Sequence, residues 1–253
     1  MIEHSHHNIS TTDFSEITKT ILLPKSSNYQ KMYSDLIIDL EKFEKTTAIK
    51  GHRDHLGHSS RVWGMGLILY KRWGSPFFNN QGLDDNLFDF VWCLTTLYHD
   101  VGYVKASKEV GKKHGECGAE LFERKLIENF PNKDWNKEVK YAINAIKLHD
   151  KCDRVEIEKD PTSALLIICD ELQEWGRKIH KEDKRPEINK LQFCISKKTE
   201  KEMKIKLIYP KSRKKVKKLI SDIGKMEGKL NEKFSCRIKN FKIRVECCIE
   251  ETS

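Results

Sequence analysis

The chain has 253 residues, 38% of them hydrophobic and 34% charged, with a formal net charge of +9. That length is enough for a sizeable core and one or two domains, and no apolar run approaches the roughly 20 residues that span a bilayer, which argues against a membrane protein. The eight cysteines form no Cys-x-x-Cys pair, and the opening Met-Ile-Glu-His-Ser-His-His lacks a basic stretch leading into an apolar one; a cytoplasmic protein with reduced thiols and no signal peptide is expected.

Residues 1–26 form a polar segment, expected to be partly disordered. Its His4, His6 and His7 form a metal-like tract, but terminal position favours disorder. Residues 28–45 then read as a helix, with Tyr33, Leu36, Ile37, Leu40 and Phe43 on one face. A second helix runs over 53–73 and is stopped by Gly74 and Pro76. After a loop at 74–84, Asp84 or Asp85 can cap a helix that reaches about Asp100. Further helices are predicted over 113–129 and 135–149. Pro161 suits a first helical position, and 161–179 reads as a buried helix through the apolar run 164–169.

Past Pro186 the period changes from helical to alternating. Leu191, Phe193 and Ile195 alternate, as do Met203, Ile205 and Leu207, and later Phe241, Ile243 and Val245. Between them 212–233 looks helical and Lys-rich, with Val216, Leu219, Ile220 and Ile223 as its apolar stripe. The charge shifts at the same place. Residues 181–253 hold 22 Lys and Arg against 11 Asp and Glu, whereas 1–180 hold 25 against 27. A boundary near 181–188 follows, with a helical domain over 27–182 and a basic α+β unit over 183–253. The expected fold is mainly α, with a C-terminal β-β-α-β extension whose sheet is antiparallel.

Several polar residues sit in or beside these apolar helices: His55 and His58, His99 and Asp100, His114, His149 and Asp150, and Asp170. Adjacent side chains on a helix diverge by about 100°, so His99 and Asp100 can converge on one ion only if the helix ends and turns there. Gly102 permits such a turn. Asp170 follows six apolar residues and needs a metal or a cationic partner, Arg177 or Lys178, because a lone buried carboxylate costs several kcal/mol. An imidazole nitrogen with a carboxylate oxygen is a donor set that divalent transition ions accept.

The order of these residues resembles the HD-domain metal-dependent phosphohydrolases. His58-Ser-Ser-Arg-Val62 is similar to the first motif, Leu97-Tyr-His99-Asp100-Val-Gly102 to the namesake motif, and the apolar lead into Asp170 to the last. Lys113-His114-Gly-Glu-Cys-Gly118-Ala119 and the helix closing on His149 resemble the subset with a second metal. The resemblance covers about residues 50–180 and implies an HD-type helical bundle. It implies that His58, His99, Asp100 and Asp170 hold one ion, while Asp100 bridges to a second held by His114 and His149. The cofactors would be one or two ions of Mn, Fe, Co, Ni or Zn, with Mg less suited. The implied activity is hydrolysis by metal-activated water of a phosphoester in a nucleotide, cyclic nucleotide, oligonucleotide or other phosphorylated small molecule.

The chain departs from the pattern at Tyr103, where many relatives carry a Lys that meets phosphate; Lys105 follows it and is expected to take that part. Arg177, two turns past Asp170, is a second phosphate candidate, with pairing to Glu171 or Glu174 as the alternative. Asp150 stands where some relatives have a second His, and is read as a helix-end or surface residue, a ligand role being the alternative. His55 is an alternative to His58. The region after Asp170 is also similar to HD domains of bacterial conflict systems. The basic unit, through Lys211 to Lys218, allows a nucleic-acid partner or else a solvated helix face. The competing functional readings are a single-strand nuclease of a defence system and a catalytically silent nucleotide-binding module.

Overall fold

The computed structural model describes residues 7–9, 31–32, 34–35, 38, 55–70, 85–103, 113–132, 137–151, 153–174, 191–198, 201–209 and 216–249. Among these the chain is mainly helical, and no helix is long and apolar enough to cross a membrane. Helix α1 (His55–Leu69) buries His58, Val62, Met65 and Leu69, a stripe at helical spacing that already carries one polar member. Helix α2 (Asp85–Tyr98) is buried on every side from Val91 onward and forms the centre of the helical layer. Its Trp92 indole N–H donates to the Trp63 carbonyl at 3.0 Å, joining α2 to α1.

Helix α3 (His114–Asn129) packs through Cys117, Ala119, Phe122 and Leu126. Helix α4 (Lys137–Leu148) packs through Val139, Ala142, Ala145 and Ile146. Helix α5 (Pro161–Glu174) starts as its sequence dictates. Pro161 lacks only an N–H that a first turn leaves unused, and the Asp160 carboxylate accepts the Ser163 backbone N–H at 3.1 Å and its hydroxyl at 2.6 Å. The helix then runs through Ala164–Cys169, all fully buried. Of the helix expected over 28–45, the described residues are helical and Met32, not one of the predicted face, is buried, while the predicted face of Tyr33, Leu36, Ile37, Leu40 and Phe43 lies outside the described residues.

The C-terminal elements are β3 (Leu191–Lys198), β4 (Glu202–Tyr209), α6 (Val216–Arg237), β5 (Ile238–Lys239) and β6 (Lys242–Ile249). Alternating Met203, Ile205 and Leu207 of β4, with Ile243 and Val245 of β6, face a helix stripe of Ile223, Met226, Leu230 and Phe234. Each such side chain contributes about 1.5–3 kcal/mol on burial. The stripe lies further along than expected: Ile220 is 55% exposed, and the side chains of Val216 and Leu219 lie outside the described residues.

The expected all-antiparallel sheet is corrected. β3 and β4 pair antiparallel, but β4 and β6 pair parallel, in a sheet whose order is β1 (His7–Ile9), β3, β4, β6. The reason is the connection, since a chain that returns through a 22-residue helix re-enters the sheet in its original direction. The strand β1 (His7–Ile9) lies in the segment expected to be partly disordered and pairs antiparallel with β3. A short parallel pair was also unforeseen. The strand β2 (Val155–Glu156), between α4 and α5, joins β5 and so fastens the C-terminal unit to the helices.

Candidate metal centre

Three apolar helices each bring one polar group to the same buried point. His58 comes from the α1 stripe, His99 from the turn ending α2, and Asp170 from α5. His58 Nε2 lies 3.0 Å from His99 Nε2 and 3.0 Å from Asp170 Oδ1. Both rings are fully buried, and Asp170 is 19% exposed. The divergence of neighbouring side chains at 99 and 100 is overcome because α2 stops at Tyr98. Backbone bonds Val101 N–H to Tyr98 O and Tyr103 N–H to Asp100 O close the turn, and His99 Nε2 comes within 3.5 Å of Asp100 Oδ1.

A second group forms around the same aspartate. Asp100 Oδ1 lies 3.5 Å from His114 Nε2 and 3.8 Å from His149 Nε2, while its Oδ2 lies 3.3 Å from His58 Nε2. His114 opens α3 and His149 follows the last residue of α4, with their Nε2 atoms 2.9 Å apart. Close backbone approach makes this possible. A Cβ on Gly102 would fall 1.8 Å from the His114 carbonyl, and one on Gly118 would fall 2.8 Å from the Tyr98 carbonyl. The end of α2 and the start of α3 can therefore touch only with glycine at both places.

The donor set fits divalent ions. His99 Nδ1–H donates to Thr96 O at 2.5 Å and His149 Nδ1–H to Ile146 O at 2.6 Å. His114 Nδ1–H points to Asp150 Oδ2 at 3.1 Å. With Nδ1 protonated, each neutral ring presents a lone pair at Nε2. His114 and His149 thus bring their Nε2 atoms to 2.9 Å of each other, a spacing at which both can face one ion. Burial and charge shift two members of the first group in opposite directions. Burial works against a charged His99, but Asp100, then Asp170 and the Thr96 carbonyl, outweigh it and push its pKa up to about 9. Burial likewise works to raise Asp170, yet bonds and charge from His58 and His99 hold it well below the usual carboxylate range.

The six residues expected as ligands thus gather into two trios able to hold metal: His58, His99 and Asp170, and Asp100, His114 and His149. Lys105 and Arg177 lie outside the described residues, as does the side chain of His55. Of the reading of Asp150 as a helix-end or surface residue, the first part holds, since it lies just past the end of α4, and the second is corrected. Its side chain is 10% exposed, and its Oδ2 accepts the Gly115 N–H at 3.1 Å as well as the His114 ring. It thereby acts as a remote cap for α3, whose own Lys113 makes no side-chain cap, and the anion suits the helix N-terminus. Tyr103 stacks on His114 with ring centroids 3.8 Å apart, so its ring packs against an imidazole of the second group. No local signal marked these two parts, because both depend on α3 folding back over the turn at 99–102.

The basic C-terminal unit carries its charge partly in pairs. Lys204 and Lys206 both meet Glu246, and Arg244 meets Glu202 at 3.0 Å. Lys214 and Lys215 lie outside the described residues, as do the side chains of Lys217 and Lys218.

Compared with known proteins, the chain matches no family model, no curated protein and no solved structure.

Proposed function

We propose that the protein is an HD-type metal-dependent phosphohydrolase acting on a phosphoester of a nucleotide, cyclic nucleotide or oligonucleotide. The observation that supports this most is the position of Asp100, one oxygen toward His58 and the other toward His99, His114 and His149. His58, His99 and Asp170 would hold one ion, and Asp100, His114 and His149 a second. Bound ions of this kind polarise a phosphoryl oxygen and lower the pKa of a coordinated water. The imidazole-rich set suits Mn, Fe, Co, Ni or Zn better than Mg.

The chain's own contribution is orientation. Carbonyls of Thr96 and Ile146 and the Asp150 carboxylate fix three rings with Nε2 inward. Asp100 supplies negative charge between the two trios, offsetting the repulsion of neighbouring cations. The apolar run before Asp170 keeps water from the core side, while Asp170 and His114, 19% and 16% exposed, mark the side open to a substrate. On the sequence resemblance alone, Lys105 and Arg177 are the cations proposed to meet the phosphate.

The test is to load the purified protein with each of the five metals and assay nucleotides, cyclic dinucleotides and single strands. Hydrolysis of at least one class, abolished by a chelator, is the expected result. A protein that binds metal yet cleaves nothing is a binding module, and cleavage confined to long strands favours the nuclease reading.

A further inference from the structure

The last residue of α6 reaches across to the metal centre. Arg237 donates from one guanidinium nitrogen to the His149 carbonyl at 2.7 Å and from the other to the Leu148 carbonyl at 2.9 Å. These carbonyls belong to the C-terminal end of α4, where a helix leaves its last acceptors without intrahelical donors and where a cation suits the dipole. Leu148 also receives the Lys151 N–H at 3.0 Å, so the turn that follows is closed on the same atom. The segment held this way carries two parts of one half-site, His149 itself and Asp150, which orients His114.

The backbone on either side of Arg237 is itself anchored. Arg154 Nε donates to the Cys236 carbonyl at 3.0 Å, and the parallel β2–β5 pair begins at Ile238, the next residue after Arg237. One turn earlier on the same face of α6, Lys233 meets Glu171 at 2.5 Å, one residue past Asp170. A single face of the C-terminal helix therefore grips the ends of both α4 and α5.

We propose that Arg237 is a positioning residue, through which the C-terminal unit completes the Asp100–His114–His149 half-site. This rests on the metal reading of that site. Two donors in a fixed fork set both the height and the rotation of the turn at 148–150, whereas a lysine supplies one mobile point of attachment.

The test uses the full-length protein, stripped of metal and titrated with Co²⁺ by calorimetry, with far-UV circular dichroism as the control on folding. Wild type takes up two ions. Arg237→Lys keeps the charge and the fold, and binds one ion about as tightly as wild type and the other about 10- to 100-fold more weakly, the effect usual for an outer-shell partner. In a His114→Ala background, which has already lost that half-site, Arg237→Lys changes nothing more. Three results would each overturn the proposal: two ions bound with unchanged affinity by both Arg237→Lys and Arg237→Ala, both ions weakened alike, or fewer than two ions in wild type. A two-ion wild type that hydrolyses no phosphoester sinks the hydrolase reading and leaves the role of Arg237 standing.

Discussion

His58 and Asp170 sit on the core faces of α1 and α5, whereas His99, His114 and His149 sit at helix ends. The first trio is held by packing: His58 shares a face with Val62, Met65 and Leu69, and Asp170 continues a fully buried run. The second is held by polar contacts from elsewhere, namely Asp150 and Tyr103 on His114 and Arg237 on the turn of His149. Core packing is stiff and lost only with the fold, while each contact at a helix end can be removed singly. The second half-site is therefore expected to bind its ion more weakly and to respond to distant changes. Asp100 belongs to both.

That contrast can be broken most severely at Asp100. Asp100→Ala is expected to lose metal from both halves and to abolish hydrolysis while the far-UV spectrum stays helical; near wild-type turnover would show the site assignment to be wrong. Next in size are the histidines of the second half. His114→Ala and His149→Ala should each leave one ion per chain by metal analysis, and loss of both ions, or of neither, would mean the halves are not separable. His58→Ala should remove the other ion and also lower the melting temperature, since its ring is fully buried.

Smaller changes sharpen the comparison. Asp150→Asn should weaken the second ion by about 10- to 100-fold and leave the first alone, because it removes an orienting charge and no ligand. Gly102→Ala should cost about 1–3 kcal/mol in chemical denaturation, the range for forced overpacking, and should loosen the second ion through the displaced start of α3. An unchanged denaturation midpoint would contradict the close approach at Gly102.

The smallest effect concerns pH and only the metal-free protein. His99 has a folded pKa of about 9 against an ordinary value of 6.5, so its protonated form favours the folded state. That stabilisation is fully present below pH 6.5 and is lost as pH rises through about 9. The melting temperature of the stripped protein should fall across that window, and metal should flatten the slope by taking the proton's place. Equal slopes with and without metal would argue that no ion reaches His99.

The helices were legible in the sequence because burial of one face leaves a 3.6-residue period, and a polar residue that keeps the period, as His58 does in its stripe, announces itself. The β-β-α-β order was legible for the same reason, through alternation in 203–207 and 241–245. The parallel pairing of β6 with β4 was not, because strand direction is set by the connection and not by which face is apolar. Strand β1 and the β2–β5 pair escaped because backbone pairing needs no side-chain pattern.

What the sequence determined by itself was which residues could serve as ligands and which helices carry them. The resemblance also implied their division into two sets sharing Asp100; tertiary structure decided that Asp150 orients His114, and that Arg237, 88 residues from His149, holds the turn. Residue type and local period report on a side chain's own helix. A contact to a carbonyl or ring on another element depends on where two chain ends meet in space, and that is settled only when the helices pack.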